Sequence, residues 1–188
     1  MARNTILSDG PGPERDACTA YRIRGGNTLS GTVTPQGNKN AALPMLAAAL
    51  LSEEPVILEN LPAIRDVHAM LGLIERLGAS VETVEDGTVR IEARNLESWR
   101  ADDALAREIR ASFLLAGPLL ARMGRAALPR PGGDRIGRRP LDTHVHALGD
   151  LGAKVEIHPG HYVLTAPDGL RGADIFLHEM SVMATENA

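Results

Sequence analysis

Residues 77–82, Leu77-Gly78-Ala79-Ser80-Val81-Glu82, return as Leu151-Gly152-Ala153-Lys154-Val155-Glu156. The step from Leu77 to Leu151 is 74 residues, and Pro44 to Pro118 gives the same step. Two separate anchors at one offset mark an internal repeat, in which each copy is one supersecondary unit. Working outward, residues 66–77, DVHAMLGLIERL, place Val67, Met70, Leu71, Ile74 and Leu77 at helical spacing. This predicts an amphipathic helix with Asp66 as N-cap and Gly78 as its stop. SVETVEDGTVRIEA then alternates on both sides of Asp86-Gly87, a hairpin signal. Upstream, AALPMLAAALL (41–51) predicts a helix buried on most faces with Pro44 in its first turns, and EEPVILENLP a β-branched strand.

Shifted by one repeat, the buried helix becomes FLLAGPLLARM (113–123), the amphipathic helix LDTHVHALGDL (141–151), and Val89 meets Val163 in HYVLTA. A third copy opens at SVMATENA, where Asn187 lies 147 residues after Asn40, close to twice 74. Each copy reads helix, strand, helix, strand, strand, so its sheet is buried only against sibling copies. Such arrays need about three repeats to close a core. Two and a fraction leave apolar surface uncovered, which predicts an unfinished unit and self-association through that surface.

Before the repeat, residues 1–20 hold no apolar periodicity and read as a disordered leader containing Cys18, a spectator thiol. YRIRGG and LSGTVTPQG (29–37) suggest two strands around a Gly25-Gly26 turn. A chain of 188 residues fits one domain or a closely joined pair. Hydrophobic residues at 44% and charged residues at 23% are ordinary globular values. A net charge of −4 and 3% aromatics argue against a nucleic-acid partner and against base-stacking platforms. One cysteine forms no internal disulfide, and neither a signal peptide nor an 18-residue apolar run is present. The expectation is a cytoplasmic enzyme without a membrane partner.

Two segments could carry chemistry. Gly37-Asn38-Lys39-Asn40 precedes the buried helix, and a lysine with amides at the positive end of a helix dipole suits phosphate or carboxylate. Its plainer reading is a solvated turn with an Asn cap. In residues 128–148, LPRPGGDRIGRRPLDTHVHAL, two glycines precede Asp134, and Arg135, Arg138 and Arg139 follow. Such a loop can close over an anion, with arginines as bidentate contacts and the carboxylate as acid or base. A charged surface loop is the equal alternative. His144 and His146 are two apart and face different sides of a helix, and no Cys/His cluster has ligand spacing, so no metal is expected. Nucleotide-cofactor glycine fingerprints are absent, and no cofactor is expected.

Taken together, GNKNAALPMLAAALL, REIRASFLLAGPLLARMG, PGGDRIGRRPLDTHVHALGDLGAKVE and MSVMATENA stand in the order and spacing of the enolpyruvyl transferases. Over residues 21–188 the chain resembles the first two fifths of those acting on UDP-N-acetylglucosamine. The resemblance implies an α/β (α+β) fold, an inside-out α/β barrel of repeated βαβαββ units, here incomplete. Residues 21–38 would be the first strands of a second domain, and 39–188 the domain bearing the catalytic loop. The implied reaction transfers enolpyruvyl from phosphoenolpyruvate to the sugar 3-hydroxyl, the first committed step of peptidoglycan synthesis, and hence bears on cell-wall growth, cell shape and division.

The same resemblance assigns the site. Lys39 and Asn40 match a pair that holds both substrates, Arg110 a substrate contact, and Arg139, Pro140, Leu141, Asp142 and Thr143 the strip after the mobile loop. His144 matches a histidine of that strip, and Glu179, Met180, Ser181 and Val182 fall at a nucleotide-contact segment. Asp134, Lys39 and Arg139 would be catalytic, with Asp134 as the acid at C3 of phosphoenolpyruvate. Asp134 stands where cysteine is usual, which implies insensitivity to the epoxide fosfomycin. Met183 stands where glycine is usual, a place for crowding the nucleotide. The general base and a further arginine would belong to segments outside this chain, which implies an isolated chain without turnover. Rival readings are a 3-phosphoshikimate enolpyruvyl transferase, opposed by Asn40 where that group carries serine, and a non-catalytic interaction module.

Overall fold

The computed structural model describes residues 22–133, 136–137 and 139–188. The expected leader with Cys18 lies outside them. The chain divides into two units at Thr34/Pro35. In the first, residues 22–34 carry no regular secondary structure, and Ile23, Leu29 and Val33 are 87%, 93% and 89% exposed. The two strands expected over 21–37 are therefore corrected to irregular chain across 22–37. Alternation supplies only half of a strand; the other half is a neighbouring ladder for its backbone N–H and C=O groups.

The second unit is built from the repeat. Helix α1 (Lys39–Ala48) continues into a 3-10 turn (Ala49–Leu51) and is followed by β1 (Val56–Leu58), α2 (Arg65–Arg76), β2 (Ser80–Glu85) and β3 (Thr88–Glu92). A short α3 (Asp103–Ala106) intervenes. The second copy is a 3-10 turn (Arg110–Leu115) running into α4 (Ala116–Met123), then β4 (Arg125–Pro129), α5 (Asp142–Asp150), β5 (Lys154–His158) and β6 (His161–Thr165). Helix α6 (Val182–Asn187) opens the third.

Both sheets are antiparallel with one topology, β1-β3-β2 and β4-β6-β5. The helix layer supplies most of the largest fully buried side chains, Leu46, Leu50, Met70, Leu73, Ile74, Phe113, Leu115, Leu119 and Leu120 among them. The sheets add Ile91, Leu128 and Leu164 from one face while β2 and β5 face solvent, which is the half-buried pattern of such a sheet. Gly78 and Gly152, the centres of the repeated motif, have φ of +104° and +99°. That region suits glycine, and a Cβ on Gly78 would come within 2.7 Å of the Glu97 amide nitrogen.

The repeat step holds for the hairpins but not for the first strands. Val89 to Val163 is 74 residues, whereas their partners Leu58 and Ala127 are 69 apart. The second copy turns from helix to strand on Gly124 alone, in place of 52–55, and uses a longer connection, 130–141, from strand to helix. That longer connection contains the loop of interest. Asp66 is corrected as N-cap: α2 begins at Arg65, two residues earlier than that cap implies, with Ile64 at the cap position, and Asp66 lies in the first turn.

Arg122 ties the two copies together. Its guanidinium donates to the Leu50 and Ala93 carbonyls at 2.7 and 3.0 Å. Asn187 ties in the third: its side chain accepts from the Gly117 N–H at 2.8 Å and donates to the Phe113 carbonyl at 2.9 Å.

Candidate functional site

At the N-terminus of α1, Asn38 adopts extended backbone and its Oδ1 accepts from the Asn40 and Ala41 amides at 2.8 and 3.2 Å. The cap is thus Asn38, which leaves the Lys39 and Asn40 side chains to face outward from the first turn. Arg110 opens the 3-10 turn of the second copy, and its Nη2 donates to the Pro140 carbonyl at 3.1 Å. This bond fixes the start of the Arg139–Thr143 strip against the turn.

These elements surround one hollow of about 340 Å³, lined by Lys39, Asn40, Arg65, Asp66, Glu108, Arg110, Gly133, Ile136, Arg139 and Met183 among others. Lys39, Asn40, Arg110 and Arg139 are therefore brought together. Asp134, Arg135 and Arg138 lie outside the described residues; Gly133 and Ile136, which flank the first two, line the hollow. The loop is anchored at its base, because a Cβ on Gly132 would run into the Arg107 carbonyl.

Four cations and two carboxylates stand among the described residues that line this hollow; Lys39 Nζ meets Asp66 at 3.0 Å and Arg65 meets Glu108 at 3.1 Å. Burial, and after it the neighbouring Arg139 guanidinium, pull the Arg110 pKa below its usual value. Two guanidiniums held close enough to oppose each other's charge favour an anion between or beside them.

A second hollow of about 470 Å³ shares Arg110 and Arg139 and is lined further by Arg130, Pro140, Leu141, Asp142 and Tyr162. Thr143 is buried, and its Oγ1 donates to Glu179 at 3.5 Å. Asp142 meets His178 at 3.3 Å. None of Glu179, Met180, Ser181 and Val182 lines the first hollow. Met180 is fully exposed, and Ser181 caps α6 by accepting from the Ala184 amide.

His144 is 2% exposed, with Nδ1 at 3.2 Å from Asn187 Nδ2 and its ring edge-on to Phe113. Burial, assisted by the Arg110 charge, holds its pKa down to about 4, so the ring is neutral at pH 7. It supports α5 from within. His146 sits on the outside, 3.4 Å from Asp150. Among the described residues no group of three or more His, Cys, Asp or Glu side chains could hold a metal ion, and no helix is long and apolar enough to cross a membrane.

Sequence reasoning passed over Arg65 and Glu108. Arg65 had a signal: one repeat step of 74 carries it onto Arg139, and both line the same hollow. Glu108 lay inside the quoted REIRAS run with no spacing to single it out.

Comparison with known proteins places this geometry. A family model described as EPSP synthase (3-phosphoshikimate 1-carboxyvinyltransferase) matches residues 23–188. A UDP-N-acetylglucosamine 1-carboxyvinyltransferase of Bradyrhizobium diazoefficiens is 54% identical over 168 residues, covering 89% of this chain and 38% of that protein. The enzyme of the same name from Treponema denticola is 52% identical, with 89% and 39% covered. The chain thus spans about two fifths of the length of these relatives. Among solved structures, the enolpyruvyl transferase NikO of Streptomyces tendae aligns with a TM-score of 0.65 at 26% identity, over 76% of this chain and 31% of that one. EPSP synthase of Acinetobacter baumannii shares the fold at a TM-score of 0.65 and 20% identity, over 84% and 36%. The two matching sheets, the helix layer and the opening third unit are the enolpyruvyl transferase architecture in part, and the chain belongs to the EPSP synthase (3-phosphoshikimate 1-carboxyvinyltransferase) family.

Proposed function

We propose that this chain is the N-terminal portion of an enzyme that transfers enolpyruvyl from phosphoenolpyruvate to the 3-hydroxyl of UDP-N-acetylglucosamine. The observation that supports the reading is the convergence of Lys39 and Asn40, Arg110, and Arg139, from three separate segments, on one hollow that Gly133 and Ile136 also line. The hollow suits a small ligand with phosphate and carboxylate groups. Asp134 gives a proton to C3 of phosphoenolpyruvate while the sugar 3-hydroxyl gives its proton to a general base and its oxygen bonds to C2, giving a tetrahedral ketal. Loss of a proton from C3 and of phosphate from C2 then yields the enol ether. Lys39, Arg110 and Arg139 stabilise the charge that gathers on phosphate and carboxylate, usually the largest contribution to such catalysis. A general acid adds about 10²–10⁴-fold. Pro140, Leu141, Asp142 and Thr143, with Glu179 to Val182, take the nucleotide part. Lys39 reaches the phosphate after exchanging Asp66 for it.

Residues 21–38 belong in this reading to a second domain. In this reading the base and a further arginine come from another part of the enzyme. The reaction is cytoplasmic and feeds peptidoglycan synthesis, and through it cell shape and division. Relatives at 54% and 52% identity named for the UDP-sugar favour it over 3-phosphoshikimate. The test is a pair of calorimetric titrations, one with UDP-N-acetylglucosamine and one with shikimate 3-phosphate. Tighter binding of the UDP-sugar is expected, and preference for shikimate 3-phosphate would transfer the chain to the other reaction.

A further inference from the structure

Arg65 and Asp66, neighbours in the first turn of α2, both line the hollow of about 340 Å³ and answer different partners. Asp66 meets Lys39 of α1, while Arg65 Nη2 meets Glu108 Oε2 at 3.1 Å. The two members of this second pair are held differently. Glu108 stands on anchored backbone: its N–H donates to the Leu105 carbonyl at 3.0 Å, the next residue, Ile109, is buried, and Ser112 Oγ lies 2.8 Å from both the Ala106 and the Ile109 carbonyl. The Arg65 side chain is 81% exposed, against 35% for Glu108. One repeat step of 74 carries Arg65 onto Arg139, so each copy of the unit sends an arginine to this hollow. An ion pair so open to water is weak. A phosphate offers a guanidinium more charge and more acceptor oxygens than a carboxylate does.

We propose that Arg65 is a further anion-binding residue of this hollow, latched by Glu108 and released to a phosphate ester that enters beside it. The arginine moves and the glutamate stays, because Arg65 has the longer stem and the greater exposure while Glu108 rests on fixed backbone. Once left, the Glu108 carboxylate keeps its contact with water, so parting costs little. Glu108 is thereby an internal competitor: a ligand that uses Arg65 must first displace it, which lowers affinity without any contact between Glu108 and the ligand. Arg65 adds its contact beside those of Lys39, Arg110 and Arg139 and replaces none of them. This rests on the reading of the hollow as the phosphoenolpyruvate site.

The experiment titrates phosphoenolpyruvate and, separately, inorganic phosphate into the native chain, Arg65→Ala and Glu108→Gln, by calorimetry and by NMR at Arg65 Nε. Arg65→Ala is expected to weaken phosphoenolpyruvate binding about fivefold, the loss of one charge-assisted contact less the pair it replaces. Glu108→Gln should tighten it about threefold, as removal of a surface ion pair allows. Both side chains are exposed, and a gain in affinity does not arise from a damaged fold. The Arg65 Nε resonances of the native chain and Glu108→Gln should differ before the ligand is added and coincide once it is bound, since Glu108 has then let go. Native affinity in Arg65→Ala, no gain in Glu108→Gln, or an Arg65 Nε resonance that ignores the ligand overturns the latch. Inorganic phosphate that gives the whole pattern, where phosphoenolpyruvate binds none of the three proteins, sinks the proposed function and leaves the latch standing. If neither ligand binds any of them, both fall.

Discussion

Lowering the pH from 7 to 5 is expected to weaken the fold through His144. Its ring is buried against Phe113 and Asn187, and its pKa is about 4 in the folded chain against an ordinary 6.5. The unfolded chain therefore takes up a proton at His144 that the folded chain refuses. Stability from this group is complete above the unfolded value and is lost as the pH falls through the interval from 6.5 to 4. At about 1.36 kcal/mol per unit, the loss is about 2 kcal/mol by pH 5 and about 3 kcal/mol once both states are protonated. Urea unfolding of the native chain and of His144→Gln at pH 7, 6 and 5 measures it. The native stability should fall by about 2 kcal/mol more than that of the variant between pH 7 and 5. Parallel losses would refute the reasoning, as would an imidazole resonance of His144 that titrates near 6.5.

Arg122→Ala removes charged donors from the Leu50 and Ala93 carbonyls that join the two copies, and should cost about 3 kcal/mol in urea unfolding; a loss under about 1 kcal/mol would show that packing alone joins them. Gly132→Ala sets a Cβ against the Arg107 carbonyl, so it should disturb the loop and weaken phosphoenolpyruvate binding in calorimetry while the melting temperature holds; unchanged binding would show that the loop base gives way. With Asp134 in the place of the usual cysteine, mass spectrometry after incubation with fosfomycin and the UDP-sugar should find no adduct on the native chain and one on Asp134→Cys. An adduct on the native chain would contradict that.

The repeat made most of the second unit legible. Helix α2 and the Asp86-Gly87 hairpin lie where periodicity puts them, because each is fixed by local pattern and by a glycine with positive φ, Gly78 and Gly87; α6 opens at Val182, five residues before the place that twice 74 after Lys39 gives. Residues 22–37 misled because alternation along Ile23, Leu29 and Val33 says nothing of a neighbouring strand. Asp66 looked like a cap because its carboxylate suits that place. In the fold it answers Lys39 instead, a contact between two helices that no local pattern encodes. The hollow itself divides the same way. Lys39 and the Arg139 strip were visible as charge beside glycine and a helix start. Glu108 enters through tertiary packing alone, and Met183 stood out as a departure whose place on the hollow's lining only the fold supplies.

The central claim is that Lys39, Arg110 and Arg139 act on one anion. Titration of phosphoenolpyruvate into the native chain and into Lys39→Ala, Arg110→Ala and Arg139→Ala tests it most directly. Each loss of a charge-assisted contact should weaken binding by about tenfold or more, and all three variants should do so. Native-like affinity in any one of the three, or a native chain that leaves phosphoenolpyruvate in solution, would contradict the claim.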